Sequence, residues 1–488
     1  MNISISETMK DILALGGALL VLVCFAVWHP TGDVVSSPSY WVDEAVSVEK
    51  ARNFITYGEL DVAVAPGVLS GKPYATAAAG PLLTLPLAGF FSLFGIGIMQ
   101  TRVYMLLWLI VLLCVSYFLV RKISGRGTAL CAVLLMATFS PFYANGKTAT
   151  GDVPGFVALL LGLSYLYVRK WYMFSGMLLG IATITKPSLY IPLVAVAVFE
   201  IVCSEHEKRI RKALTVAGGA VLILVPWLVS LPSYPFSLTS WNEVYVFFQN
   251  PFPAGAANVF GIDALLHSTV LQYLVLVVAA LFGVWHTRGR DEAWVRCMRF
   301  CFLYALAAFV LYLRSPGWLR YLLGGTLLLF LVFPQILQTI LHQRAWRYHV
   351  PLWGATAILI MLIGAQAIHF FFFSWRTASD VTMHNAILLQ QLVRPDETIG
   401  FINAPTIASL FDSRRKYQVV RISGNTVLGE SPLAVYSDML PDYVFMPHSR
   451  FGDESMRDFV DPYTNVLKER YIDYTPLDAR FFLYKKIK

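Results

Sequence analysis

From about residue 11 to residue 373, short basic clusters cut the sequence into apolar runs of membrane-spanning length. That alternation restricts the chain to a polytopic α-helical membrane protein. The clusters are Lys10; Arg121, Lys122 and Arg126; Arg169 and Lys170; Lys208, Arg209, Arg211 and Lys212; Arg288, Arg290, Arg296 and Arg299; and Arg344 with Arg347. Cytoplasmic loops carry the excess of Lys and Arg, so these clusters mark the inside. Spans are then expected near 11–28, 101–120, 128–143, 153–168, 171–185, 188–203, 213–231, 268–285, 297–313, 318–340 and 350–373. About eleven spans put the N-terminus inside and the C-terminus outside. Segment 81–98 is apolar too, but spanning there would put Arg121 and Lys122 outside. It is therefore expected as a helix along the membrane surface.

The chain is 57% hydrophobic and 14% charged, with a mean hydropathy of +0.61. Soluble domains carry about 25% charged residues, so composition agrees with the runs. The net charge of +8 lies in the inter-span clusters, which gives topology and argues against a nucleic-acid partner. Cys24, Cys114, Cys131, Cys203, Cys297 and Cys301 lie in or beside apolar runs, with no CxxC pair and no His at ligand spacing. They read as small buried hydrophobes, neither disulfides nor metal ligands. No small-residue cleavage site follows the first run, so it is expected to remain as a span.

The outside loops are expected at 31–100, 144–152, 232–267 and 314–318. The third is long, aromatic and nearly uncharged, suited to an interface with lipid or sugar. After Phe373 the composition turns polar. Strand-like runs at "TIGFI", "YQVVRI", "DYVFM" and "RFFLYKKI", with a helical pattern at "PTIASLFDSRR", predict a small extracytoplasmic α/β domain over 374–488. The membrane domain is 1–373.

Three constellations fall on the outer side. In "WVDEA", Asp43 and Glu44 follow a Trp at the exit of the first span; a solvated interfacial anchor explains them as well as catalysis does. In "YANGKTATGDVPG", Lys147 and Asp152 share a tiny loop, where Asp152 has the position of a helix cap ahead of Pro154. In "YLRSPGWLRYLLGG", Arg314 and Arg320 bracket a tight turn. Outside arginines run against the charge bias and ask for an anionic partner, or else snorkel to the interface. Arg102 and Lys186 are outer-end cations with the same two readings.

Taken in order, these segments resemble the GT-C class of membrane glycosyltransferases, close to the lipid A aminoarabinose transferases and protein O-mannosyltransferases. Those families begin with one span and a long outside loop bearing an Asp-Glu pair, matched by Asp43-Glu44. "GKPYATAAAGPLLTLP", "LFG" and Arg102 follow in the family's order, as do "GMLLGIATITKPS" and the "RYLL" that begins at Arg320. The family's Arg-x-x-x-x-Asp corresponds to Lys147 and Asp152, a departure at the basic position. The likeness covers roughly residues 10–340.

The resemblance implies transfer of a sugar from a polyprenyl-phosphate donor to an acceptor hydroxyl on the outer face of the cytoplasmic membrane. Asp43 is the expected general base, with Glu44 and Asp152 orienting the acceptor or supporting it. Arg320, Lys72 and Lys186, helped by Arg102, Arg314 and Lys147, are expected to bind the lipid phosphate. Tyr74, Trp241 and Tyr321 are expected to face substrate. No metal or other cofactor is expected, and the chain is expected to act as a monomer among membrane lipids. Two other readings fit a lipid-linked sugar. A carrier or flippase would place ionisable groups near the bilayer midplane, often in repeats. An O-antigen-type ligase or polymerase would favour a large late outside loop.

Overall fold

A computed structural model describes residues 7–27, 38–71, 79–204, 208–231, 266–315, 318–348, 353–373, 381–422, 426–428, 440–447, 463, 465–476 and 481–487. The bundle is built from α1 (Glu7–Val27), α2 (Val42–Tyr57), α3 (Pro81–Phe94), α4 (Ile98–Ser124), α5 (Arg126–Ala137), α6 (Ser140–Gly146) and α7 (Asp152–Leu163). It continues with α8 (Tyr172–Thr185), α9 (Leu193–Ser204), α10 (Arg209–Ser230), α11 (Ser268–His286), α12 (Ala293–Arg314), α13 (Leu323–Tyr348) and α14 (Trp353–Phe373). A π-helical turn, Ser164–Arg169, extends α7, and short turns Pro187–Tyr190 and Leu319–Leu322 lead into α9 and α13.

Among the described residues nine helices are long and apolar enough to cross a membrane, and α5 with α6, bent by 64°, makes a tenth if the pair is one span. The chain is thus a polytopic helical membrane protein. The expected span at 171–185 is short: α8 has 14 residues, about 21 Å of helix against a hydrocarbon core of about 30 Å, yet it runs back along α7, with Gly162 beside Ser175 and Gly155 beside the Ala182 carbonyl, and returns the chain to the Asp152 end. Helix α3 is also 14 residues and not of spanning length, as the charge argument required.

Helical periodicity separates lipid from bundle. On α11, Leu271, Val275, Val278 and Phe282 are exposed while Val270, Tyr273, Val277 and Ala280 are buried. Helices α8 and α10 pack backbone to backbone. A Cβ on Gly176 would stand 2.0 Å from the Val216 carbonyl, and one on Gly219 2.1 Å from that of Met173. Small residues permit that approach where lipid supplies no hydrophobic drive between helices. The cysteines need correction: all six are free, but only Cys297 and Cys301 are buried, and Cys24 and Cys203 are exposed on the apolar surface.

The C-terminal part is a six-stranded mixed sheet, ordered β5-β4-β3-β6-β8-β7, with α15 (Val381–Leu392) on one face. Its strands are β3 (Ile399–Ile402), β4 (Lys416–Ile422), β5 (Thr426–Leu428), β6 (Tyr443–Pro447), β7 (Tyr471–Asp473) and β8 (Phe481–Lys486). The central β3 runs parallel to β4 and β6, and β6–β8 and β8–β7 are antiparallel. All four anticipated strands are present. The anticipated helix shrinks to one turn, Pro405–Ala408: the amides of Leu410 and Phe411 then bond three residues back, and Asp412 accepts from the Arg414 amide at 2.9 Å. Helix α2 lies against this sheet as well as the bundle, and a two-stranded hairpin, β1 (Ala63–Ala65) and β2 (Val68–Leu69), follows it.

Candidate active site

Helix α2 begins at Val42 without a side-chain cap, so Asp43 and Glu44 occupy its first turn, where the helix dipole favours negative charge. The two side chains point to different partners. Asp43 Oδ2 meets Arg320 Nη1 at 2.8 Å and Lys186 Nζ at 3.3 Å. Burial alone would raise the Asp43 carboxyl, but Lys186 and Arg320 outweigh it and hold it down at about 2.

Glu44 is fully buried and pairs with the equally buried Arg102 at 3.0 Å. Burial pushes its carboxyl up to about 7, with Arg102 and the Ala149 amide offsetting only part. The solvated-anchor reading of the acidic pair therefore fails: every residue from Glu44 to Asn53 in α2 is buried. Arg102 also donates to the carbonyls of Lys147 at 2.9 Å and Pro38 at 2.8 Å. Its guanidinium is spent bracing three segments and is not presented to a ligand beside Arg320.

Lys186 is placed by backbone threading. Gly80 N donates to the Thr185 carbonyl at 3.0 Å, and a Cβ on Gly80 would stand 2.2 Å from the Ile184 oxygen. Gly151 approaches the Thr185 oxygen from the other side, where a Cβ would stand at 2.7 Å. Its φ of 86° also makes Gly151, not Asp152, the residue that caps α7, which corrects the capping expectation. Asp152 follows at the first helical position, 2% exposed, and neither carboxylate oxygen accepts a hydrogen bond among the described residues. Lys186 and Arg320 attract its charge and Asp43 repels it.

Arg320 sits in an aromatic sleeve. Its guanidinium carbon lies 4.6 Å from the Trp41 ring, 4.8 Å from Trp318 and 5.9 Å from Tyr321. Three rings within 6 Å hold the guanidinium by cation–π attraction. Trp41 Nε1 is buried without a hydrogen-bond partner among the described residues. Neither tryptophan was singled out as a site residue by sequence reasoning. The signal was available in "WVDEA" and "SPGWLRY", since each Trp lies within two residues of a charged group of the cluster.

Asp43, Asp152, Lys186, Arg320 and Tyr321 thus come together from four separate segments. Arg314 is exposed at the end of α12 and forms no ion pair among the described residues. Lys147 is buried, with its carbonyl in the Glu44–Arg102 brace. Lys72, Tyr74 and Trp241 lie outside the described residues. Among those described, no three His, Cys, Asp or Glu side chains are grouped to hold a metal ion. The arrangement suits an anion with at least two acceptor oxygens, which would replace Asp43 at Arg320 and Lys186.

A family profile described as dolichyl-phosphate-mannose-protein mannosyltransferase matches residues 78–231. ArnT from Cupriavidus metallidurans superposes with a TM-score of 0.61 in the apo state, at 15% identity over 98% of both chains. Its complex with undecaprenyl phosphate gives 0.59 at 15% identity over 99% of both. The fold is that of the GT-C membrane glycosyltransferases. An archaeal GT-C relative in fold, the oligosaccharyltransferase AglB from Archaeoglobus fulgidus in complex with an inhibitory peptide and a dolichol-phosphate, gives 0.58 at 12% identity. That match covers 99% of this chain and 75% of AglB. No curated protein sequence matches the chain. The GT-C resemblance drawn from the order of motifs therefore holds at the level of architecture, and along nearly the whole chain.

Proposed function

We propose that the protein transfers a sugar from a polyprenyl-phosphate donor to an acceptor hydroxyl on the extracytoplasmic face, with Asp43 as general base. The observation that carries this reading is the shared carboxylate oxygen. One Asp43 atom holds two cations, Arg320 and Lys186, at the mouth of a membrane bundle. Lipid phosphates bound to ArnT and AglB make the same ligand chemistry the natural occupant here.

In the resting site the cations quench the base. A carboxylate held at about 2 is a weak proton acceptor, since efficient bases titrate near the working pH. Donor phosphate oxygens at Arg320 and Lys186 would take over those cations and return basicity to Asp43. The acceptor oxygen then attacks the anomeric carbon as its proton passes to Asp43. The bond from that carbon to the phosphate oxygen breaks, and the charge gathering on the leaving lipid phosphate is met by Arg320 and Lys186. Asp152 lies where it balances the two cations, and Glu44 with Arg102 holds the first turn of α2. Lys72, Lys147 and Arg314 remain proposed helpers at the phosphate, and Tyr74 and Trp241 proposed substrate contacts. The membrane is proposed to be the cytoplasmic one, with the site facing outward.

The test uses purified protein in detergent with a polyprenyl-phosphate sugar and candidate acceptors. With no membrane separating compartments, a carrier has nothing to do in this mixture. Arg320→Lys keeps the charge but loses the fork and its contacts with the Trp41 and Trp318 rings, so transfer should fall; Arg320→Ala should lower it further. Because phosphate charge rises as the sugar leaves, the loss should show in turnover as well as donor affinity. No transfer with any pair, alongside lipid-sugar movement in sealed vesicles, would reject the enzyme and favour a carrier.

A further inference from the structure

The base stands on α2, yet the middle of α2 is held by residues from the far end of the sequence. Glu49 Oε1 meets Lys416 Nζ on β4 at 2.9 Å and accepts from Gln418 Nε2 at 2.8 Å and from the Ala63 amide at 2.9 Å. Gln418 Nε2 also donates to the Ala63 carbonyl at 2.5 Å, and Lys416 Nζ to the Ala408 carbonyl at 2.9 Å. The Arg52 guanidinium donates to the Phe411 carbonyl, and the Tyr40 and Ser409 hydroxyls meet at 2.9 Å. Glu49 is 1% exposed and Lys416 0%.

A buried ion pair adds little net stability, because desolvation offsets most of the attraction. Its geometry, however, is demanding: each group is satisfied in one arrangement only. Apolar packing would fasten α2 to the sheet without fixing its rotation or its rise. Here Glu49 lies six residues from Asp43 on the same helix, about 9 Å along the axis. Over that length an α-helix transmits displacement as a rigid rod.

We propose that Glu49 and Lys416 are positioning residues of the transferase: their pair registers α2 against the C-terminal sheet and so sets where Asp43 stands relative to Arg320 and Lys186. The proposal rests on the reaction given above. It makes the C-terminal sheet a part of the active site that touches no substrate. Arg320 and Lys186 lie on other elements, so donor binding should survive a displacement of α2 while proton transfer does not.

The test compares the full-length chain with Glu49→Gln, Lys416→Met and the charge exchange that joins Glu49→Lys with Lys416→Glu. Two readouts are taken on monodisperse protein: transfer kinetics, and hydrogen exchange of the amides of residues 42–57. Each single change should lower kcat about 10- to 100-fold, the scale of a misplacement of about 1 Å, with donor KM unchanged or lowered, since a displaced Asp43 competes less for Arg320 and Lys186. Exchange within α2 should rise while that of the spans stays as in the wild type. The charge exchange should recover part of both, and Arg394→Ala, elsewhere in the same domain, should alter neither. Single variants with wild-type kcat, or with lowered kcat and unchanged α2 exchange, would overturn the proposal. So would single variants that fail to fold and are not restored by the charge exchange, since the pair would then be structural. If the wild type transfers no sugar from any donor, the proposed function fails, and α2 exchange alone decides the positioning role.

Discussion

Asp43 Oδ2 lies 2.8 Å from Arg320 Nη1, so the proposed base and the proposed phosphate ligand neutralise each other in the resting site. Lys186 joins the same oxygen at 3.3 Å. Substrate must therefore compete with the carboxylate for its cations, and that competition sets what substitutions and pH should do.

Asp43→Asn keeps the side-chain shape, removes the base and frees both cations. Transfer should fall about 10²- to 10⁴-fold, the usual contribution of general acid–base catalysis. Affinity for a polyprenyl phosphate, measured by titration without acceptor, should rise. Loss of transfer together with loss of affinity would mean that Asp43 organises the site and does not compete for its ligands.

The pH profiles should separate. In the free protein Asp43 is depressed to about 2, so its ion pairs persist above the ordinary carboxylate value of about 3.9 and are lost as pH falls through about 2. The acid limb of kcat/KM reports the free enzyme and that of kcat the complex. With phosphate on Arg320 and Lys186, Asp43 should titrate above its value in the free protein, so the acid limb of kcat should lie at higher pH than that of kcat/KM. Coincident acid limbs would show that the donor does not take over the cations.

Gly80→Ala should impair the site from outside it. The added Cβ would stand 2.2 Å from the Ile184 oxygen, and backbone has to move to relieve it. The first residues displaced are Thr185 and Lys186. Transfer should drop more than about 10-fold, with expression and membrane insertion retained. Unaltered kinetics would mean that the strand of chain at 184–186 gives way without moving Lys186.

Topology is open to thiol labelling in a background freed of the exposed Cys24 and Cys203. A cysteine made by Glu59→Cys, at an exposed position after α2, should react with an impermeant reagent applied from outside. One made by Gly289→Cys, exposed between α11 and α12, should react only once the membrane is opened. The reverse pattern would place Asp43 in the cytoplasm and end the proposed reaction.

Asp43 was singled out by the order of family-like motifs, and Lys186 and Arg320 also as outer-end cations in a greasy chain; the structure brings the three together. The inside charges also argued against a span at α3, whose 14 residues fall short of spanning length. Hydropathy did not show how short α8 is, because it registers apolarity and not the length of helix that carries it. Arg102 was given a ligand's role because its burial against Glu44 depends on three segments meeting. Capping was assigned to Asp152 by residue preference, while the left-handed Gly151 and its approach to Thr185 decide the turn. The Glu49–Lys416 pair had no local signal at all: the partners are 367 residues apart, and each reads as an ordinary surface charge.

Helix α8 is about 9 Å shorter than a typical hydrocarbon core and ends directly at Lys186. If Trp171, exposed at its start, marks one interface, Lys186 lies below the other. Either lipid headgroups sink toward it or the bilayer thins around the protein. A thick membrane resists both, at a cost of fractions of a kcal/mol per Å of mismatch. The proposed transferase would then sense the acyl-chain length of its host lipids, working fastest in thin bilayers, where a lipid phosphate already rides at the depth of the site.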